Sequence, residues 1–432
     1  MTTFRDRADT SAAGGGNFRL LIVTQYFWPE SFRINDIAEG LKDLGHEVTV
    51  LTGIPNYPGG KPFQGYSRFT CGVEDYRGIP VFRTPHLLRN SGKSWHLAIN
   101  YLSFALSASL SGFLRLSNAF DLIFVYEPSP ITVGLPAVIL KKYFNIPVLI
   151  WVQDLWPESL SAAGAFNSST VIGMVRQMVR FIYRRCNRIL IQSQGFRASI
   201  ESFGVDSDRI LYFPNTAESV YRPVEPEAAA RAGITLPDGF RIVFAGNIGA
   251  AQDFDTILAA AEMLKEVHDL HWVVLGDGRQ KAHVQSKIAE KNLGRTVHLL
   301  GKYPVELMPV FFSLADVLLV TLKKDPVFSL TIPSKIQSYL ACAKPIIASL
   351  DGEGARIIER SQAGSVSPPE NPAALAETVM RYYRMPVSAR NAQGRAGRQY
   401  FECNFERNFL LRRLEDWMKS VKCEENGGRC VF

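Results

Sequence analysis

The stretch Arg241-Ile242-Val243-Phe244-Ala245-Gly246-Asn247-Ile248-Gly249 decides how the chain is read. An apolar run of strand length ends in a turn with two glycines, and Asp255 to Leu264 follow with helical periodicity. A strand that is apolar on successive residues has both faces covered, which is the condition of a parallel sheet wrapped by helices. Working outward, Trp272 to Gly276, Val297 to Gly301, Val317 to Val320 and Pro345 to Ala348 repeat the pattern. The first half opens in the same way. Leu20 to Thr24 reads as a strand, Ile34 to Leu44 as a helix and Glu47 to Thr52 as a strand, with Leu122 to Val125 and Pro147 to Trp151 as further strands. The pattern predicts an α/β chain of two Rossmann-like, doubly wound parallel-sheet domains.

The length of 432 residues agrees, being more than one core spans. Hydrophobic residues at 47% and charged ones at 21% exclude a disordered, fibrous or membrane-embedded chain. The expected divisions are a loose tail over 1–16, a first domain over 17–215, a second over 216–400, and a closing segment over 401–432 whose helix returns to the first domain. Four prolines between Pro214 and Pro237 mark the break. Ligands of open α/β sheets bind beyond the carboxyl ends of the strands, so two such domains are expected to face each other across a cleft. The six cysteines are scattered without a Cys-x-x-Cys pair, and the N-terminus lacks the apolar core of a signal peptide. Both features fit a reduced, cytoplasmic protein without structural zinc.

Lys+Arg at 48 against Asp+Glu at 41 leaves a net charge of +7, which favours anionic partners. Arg176, Arg180, Arg184 and Arg188 recur every four residues with Arg185 beside them, as on a basic helix face that either lies on anionic lipid or is solvated. Leu97 to Leu114 carries no charge, but Asn100, Ser103, Ser107 and Ser111 give it one polar stripe. It reads as a packed helix or a membrane-facing one. No nucleic-acid reader motif is present, so nucleic acid is not an expected partner.

Three corners of the second half carry chemistry. The Gly246-Asn247-Ile248-Gly249 turn permits close backbone approach, and the N–H groups of a helix start are free to meet a phosphate. A second strand ends in Gly276-Asp277-Gly278, and a third corner holds Pro333-Ser334-Lys335. Lys335 in a first helical turn sits where the dipole disfavours a cation unless an anion binds there, the plain alternative being a Ser334 cap and a solvated lysine. In the first half, Gln25 to Glu30 and Trp151 to Glu158 follow strands, and aromatics with Glu30, Asp154 and Glu158 fit sugar recognition. Asp253 and Asp255 precede a helix and read as caps rather than metal ligands, while His268 and His271 lack a third ligand, so no metal is expected.

Taken together, Tyr26-Phe27-Trp28-Pro29-Glu30, Trp151-Val152-Gln153-Asp154-Leu155-Trp156-Pro157, Gly246-Asn247-Ile248-Gly249, Ile332-Pro333-Ser334-Lys335-Ile336-Gln337-Ser338-Tyr339-Leu340-Ala341 and Asp351-Gly352-Glu353-Gly354-Ala355 resemble the family-4 retaining glycosyltransferases of GT-B fold. Within that family the chain resembles bacterial fucosamine-transferase and colanic-acid-type enzymes that build O-antigen, capsule or exopolysaccharide. The resemblance runs from Leu20 to about Trp417. It implies a nucleotide-sugar donor, UDP-linked, on the second domain. Gly246, Asn247, Gly249 and Gln252 would lie near the diphosphate, with Asp277, Gly278, Lys302 and Tyr303 beside the nucleotide and Ser334, Lys335 and Ser338 at the sugar diphosphate. A polyprenyl-linked or glycan acceptor would lie near Glu30 and Asp154 on the first domain, with Glu30, Asp154 and Lys335 as the catalytic set. Many members carry two glutamates eight apart where Leu330 and Ser338 stand here, and a basic residue where Ala250-Ala251-Gln252 stand.

The resemblance implies sugar transfer with retention, the leaving diphosphate taking the acceptor proton, and no separate cofactor. Two other functions fit the same fold: a nucleotide-sugar-binding partner subunit made inactive by the missing glutamates, and a nucleotide-sugar epimerase.

Overall fold

The computed structural model describes residues 17–57, 59–88, 94–117, 120–162 and 168–425; the expected tail over 1–16 lies outside them. The chain divides into two compact units. The first runs to Gln192, resumes over Phe196–Phe213 and takes in the chain from Leu411 onward; the second comprises Ser193–Gly195 and Pro214–Leu410.

The first unit is built on an eight-stranded sheet. Its strands are β1 (Arg19–Val23), β2 (Glu47–Thr52), β3 (Val73–Tyr76), β4 (Ile79–Arg83), β5 (Leu122–Glu127), β6 (Val148–Val152), β7 (Arg188–Ile191) and β8 (Ile210–Tyr212). They lie in the order β3-β4-β2-β1-β5-β6-β7-β8. All neighbours are parallel except β3 and β4, a hairpin whose turn residues Arg77 and Gly78 both have positive φ. The strand order reverses between β1 and β5, so the chain after these two strands forms the switch point where ligands of such sheets bind.

The second unit holds a six-stranded parallel sheet of β9 (Phe240–Ala245), β10 (Leu270–Leu275), β11 (Val297–Gly301), β12 (Val317–Thr321), β13 (Ile346–Ser349) and β14 (Gly364–Ser367). Its order is β11-β10-β9-β12-β13-β14, with the reversal between β9 and β12. The two-residue alternation of a strand explains the continuous apolar runs. Val243, Ala245, Val273 and Leu275 enter one core, while Ile242, Phe244, Trp272 and Val274 enter a second on the opposite face.

The helix Arg407–Glu425 packs its carboxyl half on the first unit, where Lys422 pairs with Asp121 at 3.0 Å and the Trp417 ring meets Phe213. Arg188, expected on a basic helix, is instead in β7 and pairs with Glu424, because the helix Ser169–Tyr183 stops and Ile189, Leu190 and Ile191 are buried as a strand. Arg176, Arg180, Arg184 and Arg185 are exposed. Among the described residues, Cys71, Cys186, Cys342 and Cys403 are free thiols.

The apolar helix spans Ser94–Arg115 and is turned opposite to the usual sense. Its polar stripe faces protein: Asn100 accepts from Gln25 Nε2 at 2.9 Å, Ser103 Oγ accepts from Leu87 N at 3.0 Å, and Ser107 and Ser111 bond the Thr84 hydroxyl. Leu102, Leu106, Leu110 and Leu114, each four residues apart, are between 55% and 74% exposed.

Candidate functional site

In the second unit, three corners meet at the carboxyl ends of β9 and β10 and the start of the helix Ser334–Ala341. Gly246 has φ +147, and a side chain there would strike Lys335 Cε at 2.5 Å. Gly276 has the same φ, and a Cβ would lie 1.8 Å from the Gly246 carbonyl oxygen. Only glycine lets these two strand ends close on each other. Ile248 N donates to Asp277 O at 2.8 Å and Gln280 N to Ile248 O at 3.0 Å, which ties the turn to Gly276-Asp277-Gly278. The helix is anchored by Tyr339, whose hydroxyl accepts from Ala245 N at 3.0 Å.

Lys335 reaches into this ring of backbone. Its ammonium donates to Gln252 Oε1 and lies 4.2 Å from the centre of the Phe244 ring. Among the described residues it has no carboxylate partner, and burial pushes its pKa down to about 7. The plain alternative, a Ser334 cap, does not form: Pro333 occupies the cap position, no side chain caps the helix, and Ser334 is exposed at its first turn. The helix Gly352–Arg360, which follows β13, is likewise without a side-chain cap. Both ends keep N–H groups free for an anion.

The remaining expected donor-side residues lie around these corners. Asn247 is exposed, and Gly249 packs against it. Asp277 is held below its usual pKa by the Gly278 N–H and by Lys281. Lys302 and Tyr303 are exposed just beyond β11, the Tyr303 ring 4.6 Å from Phe311. Ser338 is buried and donates to Ser334 O at 3.3 Å, so a neutral hydroxyl stands where an acid is common. Asp253 occupies a helix cap position without making the cap bond expected of it; its φ is +49, and one carboxyl oxygen is buried without a partner.

In the first unit, Glu30 is buried beyond β1. Its Oε1 accepts from Asn56 N at 2.7 Å and Tyr57 N at 2.6 Å, while Oε2 has no partner. Burial outweighs those bonds and raises its pKa to about 7. Asp154, beyond β6, is raised to about 6 by burial, opposed by the Ser159 hydroxyl and the Leu155 amide. The aromatics expected to present sugar-stacking faces are mostly core: Tyr26, Phe27, Trp151 and Trp156 are buried, packed on Phe32, Tyr76, Tyr126 and Tyr101 respectively, leaving Trp28 as the exposed ring. Glu127, the last residue of β5, was not singled out from sequence, although an acid closing an apolar run was a signal. It is completely buried, which holds its pKa well above the usual range. His268 is exposed and His271 is buried against His298 at 3.2 Å. Among the described residues no three His, Cys, Asp or Glu side chains converge as metal ligands.

Two family models cover most of the chain: a glycosyl transferase 4-like domain matches residues 31–216 and glycosyl transferases group 1 matches residues 229–400. The probable glycosyltransferase WbjE of Pseudomonas aeruginosa is 26% identical over 71% of this chain and 76% of its own length. The putative colanic acid biosynthesis glycosyl transferase WcaI of Escherichia coli K12 is 23% identical over the same shares. Among solved structures, sucrose-phosphate synthase from Thermosynechococcus elongatus superposes with a TM-score of 0.70 at 16% identity, over 94% of this chain and 99% of that one. Anabaena Alr3699/HepE in complex with UDP superposes with a TM-score of 0.69 at 13% identity, over 93% and 100%. Two α/β domains on sheets of eight and six strands, with these structural neighbours, place the chain in the GT-B fold class. The chain belongs to the GT-B glycosyltransferases that join a glycosyl transferase 4-like domain to a glycosyl transferases group 1 domain.

Proposed function

We propose that the protein transfers a sugar, with retention, from a UDP-linked donor to a polyprenyl-linked or glycan hydroxyl in the assembly of bacterial O-antigen, capsule or exopolysaccharide. The observation that carries this reading is Lys335, which among the described residues has no carboxylate partner and lies beside the Gly246 and Gly276 turns and the uncapped helix at Ser334. A diphosphate there would find one ammonium and several backbone N–H groups. As the glycosidic bond to the donor breaks, the charge growing on the leaving diphosphate is met by donors already in place. Its oxygen takes the acceptor proton as the hydroxyl attacks from the same face, so no cofactor is assigned, and the charge-neutralising part goes to Lys335 rather than a metal.

Glu30 and Asp154 are assigned to the acceptor. Near neutral pH Asp154 is the acid that can carry charge and accept a hydroxyl hydrogen bond, while Glu30 is close to half protonated. The name of WcaI, a putative colanic acid biosynthesis glycosyl transferase, supports the polysaccharide assignment, and HepE in complex with UDP supports the nucleotide.

Attachment to the inner face of the cytoplasmic membrane is part of the same reading. The exposed Leu102, Leu106, Leu110 and Leu114 stripe would enter the interface, and Arg176, Arg180, Arg184 and Arg185 would meet anionic headgroups. The neutral Leu330 and Ser338 favour one second reading, a donor-binding partner subunit without activity. Single-turnover assays with UDP-sugars separate the two. Loss of turnover in Lys335→Ala is expected; wild-type turnover at saturating donor overturns its role.

A further inference from the structure

Arg83, the last residue of β4, is completely buried, and the sugar-transfer reading gives it no part. Burying a guanidinium is costly unless its N–H groups and its charge are met, so its partners show what it holds. Nε donates to Glu74 Oε2 at 3.0 Å, and the Tyr66 hydroxyl donates to the same oxygen at 3.0 Å. The other two arms of the fork go to main chain. Nη1 donates to Gly53 O at 3.2 Å and Nη2 to Trp28 O.

Those two carbonyls belong to the two loops that hold Glu30. Trp28 lies two residues before Glu30 in the chain after β1. Gly53 opens the chain after β2, whose Asn56 and Tyr57 amides donate to Glu30 Oε1. The strand register gives Arg83 its reach: Thr52 pairs with Arg83 and Thr84 N donates to Thr52 O at 2.9 Å, so the end of β4 lies beside the end of β2. Glu74 stands on β3, so the antiparallel hairpin at the sheet edge supplies both members of the ion pair. From the chain after β4, His86 closes on the same loop, since a side chain at Gly53 would strike His86 Cε1 at 2.7 Å. Burial drives the pKa of His86 down to about 4, so near neutral pH Arg83 and Glu74 are the charges of this frame, and Arg83 opposes the larger effect of burial on Glu30.

We propose that Arg83 is a positioning residue for Glu30: by holding Trp28 O and Gly53 O in one planar fork, it fixes the loops after β1 and β2 in the frame that presents the Glu30 carboxyl to the acceptor. No proton is transferred and no covalent bond is made or broken. A lysine would keep the charge but not the fork, whose separate N–H groups meet three acceptors at once. This rests on reading Glu30 as an acid that meets the acceptor.

Two substrate-free measurements on the full chain test it. Infrared titration from about pH 5 to about pH 9 follows the Glu30 carboxyl, identified as the band lost in Glu30→Gln. Amide hydrogen exchange follows residues 53–57. In Arg83→Gln, which removes charge and fork, the Glu30 midpoint is expected to rise. In Arg83→Lys the amides of Asn56 and Tyr57 are expected to exchange about 10-fold faster, the scale of one lost charge-assisted bond, while the amides of β5 and β6 keep wild-type protection. An unmoved midpoint in Arg83→Gln, or exchange in Arg83→Lys that is unchanged or accelerated equally throughout the first unit, overturns the proposal. If neither variant folds, Glu74→Gln decides: it leaves both carbonyl contacts in place and frees the Arg83 charge of its counter-ion, so the Glu30 midpoint is expected to fall, and an unmoved midpoint overturns the proposal. Undiminished sugar transfer by Glu30→Gln would overturn the acceptor reading of Glu30 alone and leave both measurements standing.

Discussion

The strand ends of the two units solve opposite electrostatic problems. In the second unit, Gly246 and Gly276 bring backbone together around Lys335, which is left without a counter-charge. In the first unit, burial raises the pKa values of Glu30, Glu127 and Asp154, opposed at Glu30 by Arg83 but not overcome. One site is short of an anion and the other holds acids whose burial favours keeping a proton. Two sheets of one architecture thus present opposite chemistry through the few residues that follow their strands.

Breaking the cationic side has the largest expected effect. Lys335→Ala should lower single-turnover transfer by about 10²- to 10³-fold, the usual range for losing one preorganised charge-stabilising group. An equal loss in Lys335→Arg would show that the position needs a compact ammonium rather than charge alone.

Gly276→Ala puts a methyl against the Gly246 carbonyl at a φ that favours glycine, and should cost roughly 1–3 kcal/mol in urea unfolding while weakening donor binding. Unchanged stability would mean the two strand ends are less tightly closed than described.

Charge reversal at Arg180 and Arg184 sharpens the comparison from outside both sites. With about 1 kcal/mol per basic residue at an anionic surface, the double variant should bind phosphatidylserine vesicles at least ~10-fold more weakly, with transfer to a soluble acceptor unchanged. Equal binding would locate membrane contact elsewhere.

The smallest effect is the acid side's pH dependence. Burial raises the pKa of Glu30 from its ordinary 4.5 to about 7, so the folded state binds more protons than the unfolded one between these values. Its contribution is fully present below about pH 4.5 and is lost as pH rises through about 7. Glu30→Gln should therefore flatten the fall in thermal midpoint over that window by roughly a few degrees. A slope identical to the wild type would remove Glu30 from the account.

The fold was legible because the strands that build both cores are continuous apolar runs. Those missed are short or polar: β8 has three residues, β14 reads Gly-Ser-Val-Ser, and the β3-β4 hairpin is half exposed. The glycine corners and Lys335 were legible because backbone geometry restricts residue type. Burial was harder to read. Nothing local distinguishes the exposed Trp28 from the buried Trp156, each before a proline, or shows that the helix Ser94–Arg115 turns its serines inward. Such facts depend on what the rest of the chain packs against them. Glu127 was missed for the same reason, since its complete burial comes from what packs around the end of β5.

The central claim is that the second unit binds a nucleoside diphosphate on Lys335. Calorimetric titration of UDP at about pH 8, in buffers of different ionisation enthalpy, tests it most directly because the unliganded ammonium is then mostly neutral. The account predicts binding with uptake of close to one proton, abolished in Lys335→Ala. Failure of UDP to bind, or binding whose proton uptake survives Lys335→Ala, would contradict it.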